Sequence, residues 1–283
     1  MASPRTTNPV PEWIEHPYPY LQHSLVSFPR RHVLLVTINR PEYRNCLPVE
    51  ATIELGFLWR WYDSEPELRC AVFTGAGDKA FCSGMDLKQR LDIKDTDSIA
   101  HEYPRGGFGG MANRTGKKPI IIACNGHAHG GGFEIVLNSD VIFASPNATF
   151  RLPEVLRGVV AFAGALPRCM VLFGNHRTMD LCLTGRMLSA KEAVEWGLVK
   201  EIVPQEKLLN RTLHYACEIA ALCPDSVILS RLGAREAWET GISRATMRGQ
   251  EIYAEAMLRS PNAAEGLAAY REKRNPVWKA SHL

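Results

Sequence analysis

The 283-residue sequence lacks long hydrophobic runs, dense runs of one charge and closely paired cysteines. Its longest apolar stretches, such as Pro119–Cys124, are far too short to cross a bilayer, so we expect no membrane span. The net charge is +3 and no dense Lys/Arg run accompanies it, which gives nucleic-acid binding little support. No charged segment followed by an apolar one opens the sequence, so we expect no signal peptide there.

Eight cysteines are scattered through apolar segments, for example at Cys70 and Cys182, and none belongs to a CxxC pair. In a chain of this length, that spacing predicts buried, reduced thiols rather than a disulfide framework. His127 and His129 flank a single alanine, but no third ligand is spaced to join them around a metal. We therefore expect no metal site and interpret the two histidines as turn or pocket-wall residues.

The sequence does contain a series of apolar strand patterns, several of which end in glycine turns. These patterns cover residues 32–39, 70–77, 119–126 and 140–145. Pro48 opens a helix that is predicted to run to about Tyr62. Between the last two strands, only the segment Phe133–Ser139 is left for a short helix. The local unit is therefore strand, turn, short helix and strand, which is typical of an α/β fold.

Beyond about residue 165 the pattern becomes helical. Ser189 and Glu192 form a capping box that opens a helix ending at Gly197. Further helices are predicted over 207–222, 226–238 and 243–258. In the segment 207–222, Leu209, Leu213, Ala216 and Ala220 are expected to share the buried face.

These patterns divide the chain into four parts. We expect a flexible arm over residues 1–24, a strand-rich core over 25–205, a helical region over 206–280 and a short tail over 281–283. Within the core, the polar segment 90–117 is expected to form a mobile loop.

Three consecutive glycines, Gly130–Gly132, stand between a predicted strand and a predicted helix. The first N–H groups of a helix have no partner inside it, and glycine lets a carbonyl oxygen approach them closely. Such a turn can stabilise the negative oxygen that develops on a carbonyl during reaction. The glycines alone also fit a tight packing turn between helix and strand, so both interpretations stay open.

A second segment favours the chemical interpretation. Gly84 lies at the end of another predicted strand, and the N–H of Met85 after it can supply a second donor. Glu134 follows the glycines, and Glu154 follows Pro153 at a position suited to opening a short helix. Two carboxylates beside two backbone donors suit proton transfer at the carbons next to a thioester. Each glutamate taken singly is also compatible with an ordinary solvated surface residue.

From His32 to the C-terminus the sequence resembles the crotonase, or enoyl-CoA hydratase/isomerase, family. The segments that carry the resemblance, in the family's order and spacing, are NRPEYRN, AVFTGAGDKAFCSGMDL, KPIIIACNGHAHGGGFE, ATFRLPEVLRG and LTGRMLSAKEAVEWGLVKEIV. The resemblance implies a crotonase-like α/β fold, a spiral of ββα repeats with a helical C-terminal trimerisation region. It also implies a homotrimer or a hexamer.

The resemblance further implies an acyl-CoA thioester as substrate, with its carbonyl oxygen between the N–H groups of Met85 and Gly131. Hydratase members use two glutamates, matched here by Glu134 and Glu154, whereas many isomerase members keep only the second. Coenzyme A arrives as part of the substrate, so no further cofactor is expected. The family positions that border the substrate are matched by Lys79, Ala80, Phe81, Ser83, Gly84, Asp86, Leu87 and Gly130, and near the CoA adenine by Tyr270 and Lys279.

The sequence also departs from the family pattern. Ala161, Phe162 and Ala165 occupy positions where proline and glycines are usual, and Phe162 is expected to narrow or reshape the acyl pocket. Glu42 replaces a frequent lysine, for which Arg44 is a candidate substitute. The GGGFE motif and the LPE around Glu154 resemble the branch that acts on carnitine-type enoyl-CoAs.

The two glutamates favour reversible hydration of a 2-enoyl-CoA, and three other functions are alternatives to it. An enoyl-CoA isomerase would use mainly Glu154, and a crotonase-fold binding protein would use neither glutamate. The HGGG at His129–Gly132 also resembles the oxyanion loop of esterases, but 241–245 lacks the second glycine of the GxSxG motif that such enzymes need.

The last three residues, Ser281-His282-Leu283, are a near variant of the peroxisomal SKL signal. They predict recognition by the import receptor and a peroxisomal location; without such import the protein is expected to be cytoplasmic.

Overall fold

A computed structural model of the chain describes residues 10–86 and 106–283. In these residues ten strands form two sheets, one of six strands and one of four. The strands are β1 Ser24–Arg30, β2 Val33–Ile38, β3 Cys70–Gly75, β4 Ala80–Cys82, β5 Ile120–Cys124, β6 His127–His129, β7 Val141–Ala144, β8 Thr149–Arg151, β9 Met187–Ser189 and β10 Glu201–Ile202. The large sheet has the order β1-β2-β3-β5-β7-β10 and the small sheet the order β4-β6-β8-β9.

The helices connect and cover these strands. They are α1 Val49–Ser64, α2 Gly131–Leu137, α3 Ala165–Phe173, α4 Asn175–Thr184, α5 Ala190–Glu195, α6 Gln205–Ala220, α7 Pro224–Thr240, α8 Ile242–Arg248, α9 Ala254–Leu258 and α10 Pro261–Glu272. Short 3₁₀ turns occur at Pro41–Tyr43, Phe108–Gly110 and Glu154–Arg157.

From β3 to β8 the chain alternates between the two sheets. Strands β3, β5 and β7 lie parallel in the large sheet, while β4, β6 and β8 lie parallel in the small one. Each turn of the chain therefore adds one strand to both sheets. This is the spiral of strand pairs expected from the sequence, and the α/β class is confirmed.

Both faces of the large sheet are buried, which explains why its strands read as continuous apolar runs. Alternate residues of one strand face opposite cores, as Leu34 and Val36 do on one side and Val33 and Leu35 on the other. Helix α1 packs on the first side and α6 on the second. The buried residues of α6 are Leu208, Thr212, Ala216 and Ala220. The expectation for Leu209 was wrong, because its side chain is 38% exposed.

The last predicted helix, 243–258, is interrupted. Helix α8 ends at Arg248, a π-helical turn covers Gly249–Tyr253, and α9 begins at Ala254. The Ser189–Glu192 capping box is present in full at the start of α5, as predicted.

Two segments expected to be loose are packed where the structure describes them. In the N-terminal arm, the carboxylate of Glu65 accepts hydrogen bonds from the backbone N–H groups of Glu15 (3.1 Å) and His16 (3.0 Å). Trp13 packs edge-on against Phe28, 5.9 Å between ring centroids, so aromatic contacts hold residues 10–23 to the core. Residues 1–9 lie outside the described ranges.

The polar loop is the second such segment. Its part 106–117 contains the buried side chains Phe108 and Met111, so glycine content did not indicate mobility there. The rest of that expectation, 90–105, lies outside the described residues.

The final residues of the sequence are tied to the helical region through Asp225. Its carboxylate, fully buried, accepts hydrogen bonds from the hydroxyl groups of Ser260 and Ser281, and His282 Nδ1 lies 3.5 Å away. Lys117 Nζ donates to the backbone oxygen of Leu283. Within residues 10–86 and 106–283, no helix is both long enough and apolar enough to span a membrane.

Candidate active site

The triple glycine forms the turn from β6 into α2, and its backbone is crowded on several sides. Gly130 has φ +53°, and a Cβ atom on it would lie 3.0 Å from Glu154 Oε1. A Cβ on Gly131 would lie 2.5 Å from the ring of Phe108, and one on Gly132 only 2.0 Å from the carbonyl oxygen of Cys82. Gly132 is therefore a packing glycine, whereas Gly130 leaves room for a carboxyl group.

The second donor segment lies directly against this turn. Gly84 has φ +97°, and a Cβ on it would lie 3.4 Å from the Gly131 nitrogen. The Gly84 carbonyl accepts from Leu47 N–H at 2.9 Å, and Asp86 N–H donates to the Leu47 carbonyl at 3.1 Å. Because neighbouring peptides in an extended segment alternate, these two bonds turn the N–H of Met85 away from Leu47.

Two backbone donors are thus left without backbone partners at adjacent positions. Across 10–86 and 106–283, no carbonyl accepts a hydrogen bond from the N–H of Met85 or Gly131. The N–H of Gly130, in contrast, donates to the Arg151 carbonyl at 2.9 Å and fixes the start of the turn. A glycine-lined pair of free N–H groups is the arrangement that binds a developing oxyanion.

Glu134 lies in the first turn of α2 with 5% of its surface exposed. The Ala165 N–H, at the start of α3, donates to Glu134 Oε1 at 3.4 Å. The pKa of Glu134 is raised to about 7, mainly by burial and also by the charge of Glu154, while the Ala165 N–H and the Arg168 guanidinium act in the opposite direction. At neutral pH this carboxyl group is therefore available in both protonation states.

Glu154 opens the 3₁₀ turn after Pro153, where the sequence predicted a short helix. Its Oε1 lies over the Cα of Gly130, and its Oε2 is buried with no hydrogen-bond partner among the residues that the structure describes. Burial raises the pKa of this carboxyl group. An unpaired buried oxygen favours the neutral acid, which is the form that can donate a proton.

The four residues with predicted chemical roles, Met85, Gly131, Glu134 and Glu154, therefore meet at one place. The alternative of two unrelated surface carboxylates is wrong in geometry, because both groups lie beside the glycine turn and Glu154 influences the pKa of Glu134. Such a site can hold a carbonyl oxygen and exchange protons at the adjacent carbons.

The residues predicted to border the substrate have varied surroundings. Ala80 and Phe81 are buried in β4, whereas Lys79 just before them is exposed and its carbonyl accepts from His127 N–H at 3.1 Å. Asp86 forms an ion pair with Arg40 at 3.2 Å. The Ser83 N–H donates to the carbonyl of Arg44, and Leu87 lies outside the described residues.

Three further predicted residues lie at the surface of the chain. Phe162 is 67% exposed, so within one chain it does not narrow a pocket as expected, because the loop 158–164 turns its ring outward. Tyr270 on α10 is 87% exposed. Lys279 is exposed too, and its backbone pairs with Asn262. Within the described parts of the chain, the Tyr270 and Lys279 side chains make no hydrogen bond to the glycine turn or the glutamates.

Sequence reasoning missed three residues beside the site. Phe108 packs on Gly131 from a loop that reads Gly106-Gly107-Phe108-Gly109-Gly110, and an aromatic residue between glycine pairs was the available signal. Asn113 and Arg168, in contrast, sit in unremarkable sequence and become neighbours only through the fold.

The two histidines before the turn are bound to one hydroxyl group. His127 Nδ1 and His129 Nε2 lie 2.8 and 2.9 Å from Thr149 Oγ1. Burial lowers the pKa of His129 to about 4, with the neighbouring His127 and Arg151 adding to the effect. Both rings are therefore neutral at pH 7, and they lie in strand β6 rather than in a turn. Over the described ranges there is no group of three or more His, Cys, Asp or Glu side chains suited to a metal.

Comparisons with known proteins show which family the chain belongs to. Residues 30–281 match the model of the enoyl-CoA hydratase/isomerase family. A mevalonyl-coenzyme A hydratase of Aspergillus fumigatus is 41% identical over 94% of this chain and 98% of its own. A carnitinyl-CoA dehydratase of Proteus mirabilis is 34% identical over 92% and 99% of the two chains.

The crystal structure of an enoyl-CoA hydratase from Bacillus anthracis is similar in fold, with a TM-score of 0.84 and 30% identity over 92% of this chain and 100% of that one. The chain therefore belongs to the enoyl-CoA hydratase/isomerase family and is an enzyme of the hydro-lyase type.

Proposed function

We propose that the protein adds water reversibly to the double bond of a 2-enoyl-CoA, or removes water from the corresponding 3-hydroxyacyl-CoA. One observation carries this proposal: the free N–H groups of Met85 and Gly131 lie beside two glutamates, Glu134 buried and Glu154 half-buried. The thioester brings its own coenzyme A, so the reaction as proposed uses no further cofactor.

The backbone donors act on the thioester carbonyl. When water adds at Cβ, negative charge moves onto the carbonyl oxygen, and the N–H groups of Met85 and Gly131 stabilise it. One such donor contributes about 3–4 kcal/mol to transition-state stabilisation. Because both N–H groups belong to the backbone of glycine-bearing turns, they need no reorganisation when that charge appears.

The glutamates move the protons. In the hydration direction, the Glu134 carboxylate takes a proton from the water that attacks Cβ, and the Glu154 acid gives a proton to Cα. Dehydration reverses both transfers. A Glu134 pKa of about 7 suits a group that must both accept and release a proton near neutral pH, and the unpaired Glu154 Oε2 suits a neutral acid.

For the acyl group, we propose a branched 3-hydroxyacyl-CoA of the mevalonyl type. The support is the similarity to two mevalonyl-coenzyme A hydratases, at 41% and 43% identity, against 34% for a carnitinyl-CoA dehydratase. Ala161, Phe162 and Ala165, where the family pattern has proline and glycines, mark the loop next to Glu134 as the place where the acyl pocket differs.

A panel of thioesters tests this substrate class. Purified protein is incubated with mevalonyl-CoA, carnitinyl-CoA and a straight-chain 3-hydroxyacyl-CoA, and the loss of water is followed by mass spectrometry. We expect kcat/KM for mevalonyl-CoA to exceed the others by about ten-fold or more, which corresponds to about 1.4 kcal/mol. A higher kcat/KM for another thioester of the panel would contradict the proposed mevalonyl-type acyl group. Migration of a double bond without water transfer would favour the isomerase instead.

The assembly is proposed to be a homotrimer or a dimer of trimers. The C-terminal helices carry large apolar side chains that are strongly exposed in the single chain, among them Ile242, Leu258, Leu267 and Tyr270. Burial of such a surface against further copies is favourable. Light scattering on the purified protein measures the mass; a monomer would contradict the proposal.

Peroxisomal import stays a prediction. The Ser281 hydroxyl and the His282 ring both lie against Asp225, so a receptor that reads this tripeptide has to displace these contacts.

A further inference from the structure

The loop that precedes α3 passes over Glu134 in a conformation that only glycine adopts easily. Gly164 has φ +104°, and a Cβ on it would lie 2.1 Å from Arg168 Nη1. The Arg168 side chain therefore folds back from the first turn of α3 and covers the turn 163–165. The N–H that Glu134 accepts, from Ala165, belongs to this same turn.

Two side chains hold the carbonyl of Ala163. In the amide orientation that its neighbours require, Asn113 Nδ2 donates to the Ala163 oxygen at 2.9 Å, and Arg168 Nη1 lies 3.5 Å from the same oxygen. These two contacts fix the direction of the Ala163 carbonyl. The orientation of the next two peptides follows from it, and the Ala165 N–H points at Glu134 Oε1. We call Asn113, Arg168 and the turn 163–165 the Glu134 bracket.

The bracket also joins both sides of the site. The Asn113 N–H donates to the carbonyl of Gly106 at 2.8 Å, at the base of the loop that lays Phe108 on Gly131. Asn113 therefore contacts both loops, the Phe108 loop through its backbone N–H and the loop above Glu134 through its side-chain amide.

Arg168 brings a positive charge to this place. No carboxylate lies within ion-pair distance of its guanidinium in the described part of the chain, and its one hydrogen bond, to Ala163, is long. The acids that it influences most are Glu134 and, from α7, Glu239. The other titratable groups around Glu134 are Glu154, which opposes its ionisation, and the thiol of Cys169, whose pKa burial raises to about 12.

We propose that Arg168, together with Asn113, is a positioning residue for the proton transfers of Glu134. The bracket aims the Ala165 N–H at the carboxyl group, and the guanidinium favours its charged form. The proposal rests on the proposed function for its kinetic readout alone.

The pH profile of kcat/KM for hydration of the 2-enoyl-CoA, the direction in which Glu134 must be ionised, tests the charge. In Arg168→Gln we expect the acid limb to move up by about one pH unit and activity at pH 7 to fall about five-fold, because less Glu134 is ionised. Arg168→Lys keeps the charge and should restore most of the acid limb. Arg157→Gln, at an exposed arginine of the 3₁₀ turn, is the matched control and should leave the profile unchanged.

The geometry has its own variant. Asn113→Ala removes one hydrogen bond to Ala163, and we expect kcat to fall about five-fold with little change in KM, since the substrate does not depend on that bond. It also keeps the proposal testable if Arg168→Gln fails to fold.

A measurement without substrate separates this proposal from the proposed function. Urea unfolding of Arg168→Gln, Glu134→Gln and the double variant gives their coupling at two pH values. We expect non-additive stabilities at pH 8, where Glu134 is ionised, and additive ones at pH 5. Inactivity of the wild type on every thioester would end the proposed function and leave this cycle valid. Additive stabilities at pH 8, or an acid limb that stays in place in Arg168→Gln, would overturn the bracket.

Discussion

At the scale of single residues, the two glutamates differ from ordinary surface acids through what surrounds them. Glu134 is nearly buried and receives one long hydrogen bond, while Glu154 keeps a buried oxygen without a partner among the described residues. Both arrangements cost stability, because a carboxylate in such a place loses hydration that the protein does not replace. A cost of this kind is expected where chemistry requires the group.

The pH dependence of stability measures that cost. The pKa of Glu134 is about 7 in the folded chain and near 4.5 when unfolded, so the folded state binds more protons between these values. Its contribution is therefore fully present below pH 4.5 and is lost as pH rises through 7. We expect Glu134→Gln to remove this slope and to raise the free energy of unfolding at pH 8 by about 1–3 kcal/mol.

Urea unfolding at pH 5 and pH 8 provides the comparison, with Glu206→Gln, an exposed glutamate at the start of α6, as the control. A Glu134→Gln variant that is less stable than the wild type at pH 8 would contradict the assigned environment.

At the scale of elements, the site depends on how closely three segments approach. The turn into α2 touches β4 through Gly132, the Phe108 loop through Gly131 and the 3₁₀ turn through Gly130. The packing interpretation of the triple glycine holds at Gly132, whereas the oxyanion role is proposed for the N–H of Gly131. Close packing at Gly132 is what holds the free N–H of Gly131 in place.

The variant Gly132→Ala tests whether close packing at Gly132 is required for stability and activity. Its Cβ would meet the Cys82 carbonyl at 2.0 Å, so α2 has to move away from β4. We expect a loss of about 2 kcal/mol or more in stability and at least a ten-fold fall in kcat. Gly249→Ala is the control, because nothing lies within 4 Å of its added Cβ and the backbone there is helical. It should be neutral or stabilise slightly. Equal effects of the two variants would count against the packing role.

The elements themselves were largely predictable, for reasons that also explain the failures. Continuous apolar runs such as 119–124 identify buried parallel strands, and the Ser189–Glu192 pair identifies a helix start. The π-helical turn at Gly249–Tyr253 left no such signal, because the chain before and after it is also helical. The loop around Phe108 was wrongly predicted to be mobile, because its glycines allow close packing rather than backbone flexibility.

The site residues were predictable where they stand in local motifs and not where they depend on contacts between distant segments. Met85, Gly131, Glu134 and Glu154 stand in motifs whose spacing along the chain determines their meeting. Asn113 and Arg168 contact one carbonyl from segments 55 positions apart in numbering, so no local pattern could pair them. Contacts between segments that are far apart in the sequence can be identified only from the folded structure.

At the scale of the whole molecule, Asp225 joins three parts of the helical region. Its buried carboxylate accepts from Ser260 and Asn262 at the start of α10 and from Ser281 in the tail. These bonds hold the pKa of Asp225 below its usual value against the effect of its burial. The last residues of the sequence are thereby part of the folded structure.

Asp225→Ala is expected to leave those buried donors unpaired. Each unsatisfied group costs about 1–3 kcal/mol, so we expect Tm to fall by about 5 °C or more and the tail to become sensitive to carboxypeptidase. Differential scanning calorimetry measures the first effect. Asp180→Ala, which breaks an exposed pair with Arg186, is the control and should change Tm little. An unchanged Tm in Asp225→Ala would show that the tail is not held as described.

The central claim is that water and a proton are exchanged at adjacent carbons of one thioester, at a site made of two N–H groups and two glutamates. The most direct measurement incubates the preferred 3-hydroxyacyl-CoA with the protein in ¹⁸O-labelled D2O and analyses recovered substrate by mass spectrometry. We predict ¹⁸O in the 3-hydroxyl group and deuterium at Cα, both lost in Glu154→Gln. Deuterium without ¹⁸O, or neither label with the wild-type protein, would contradict the account.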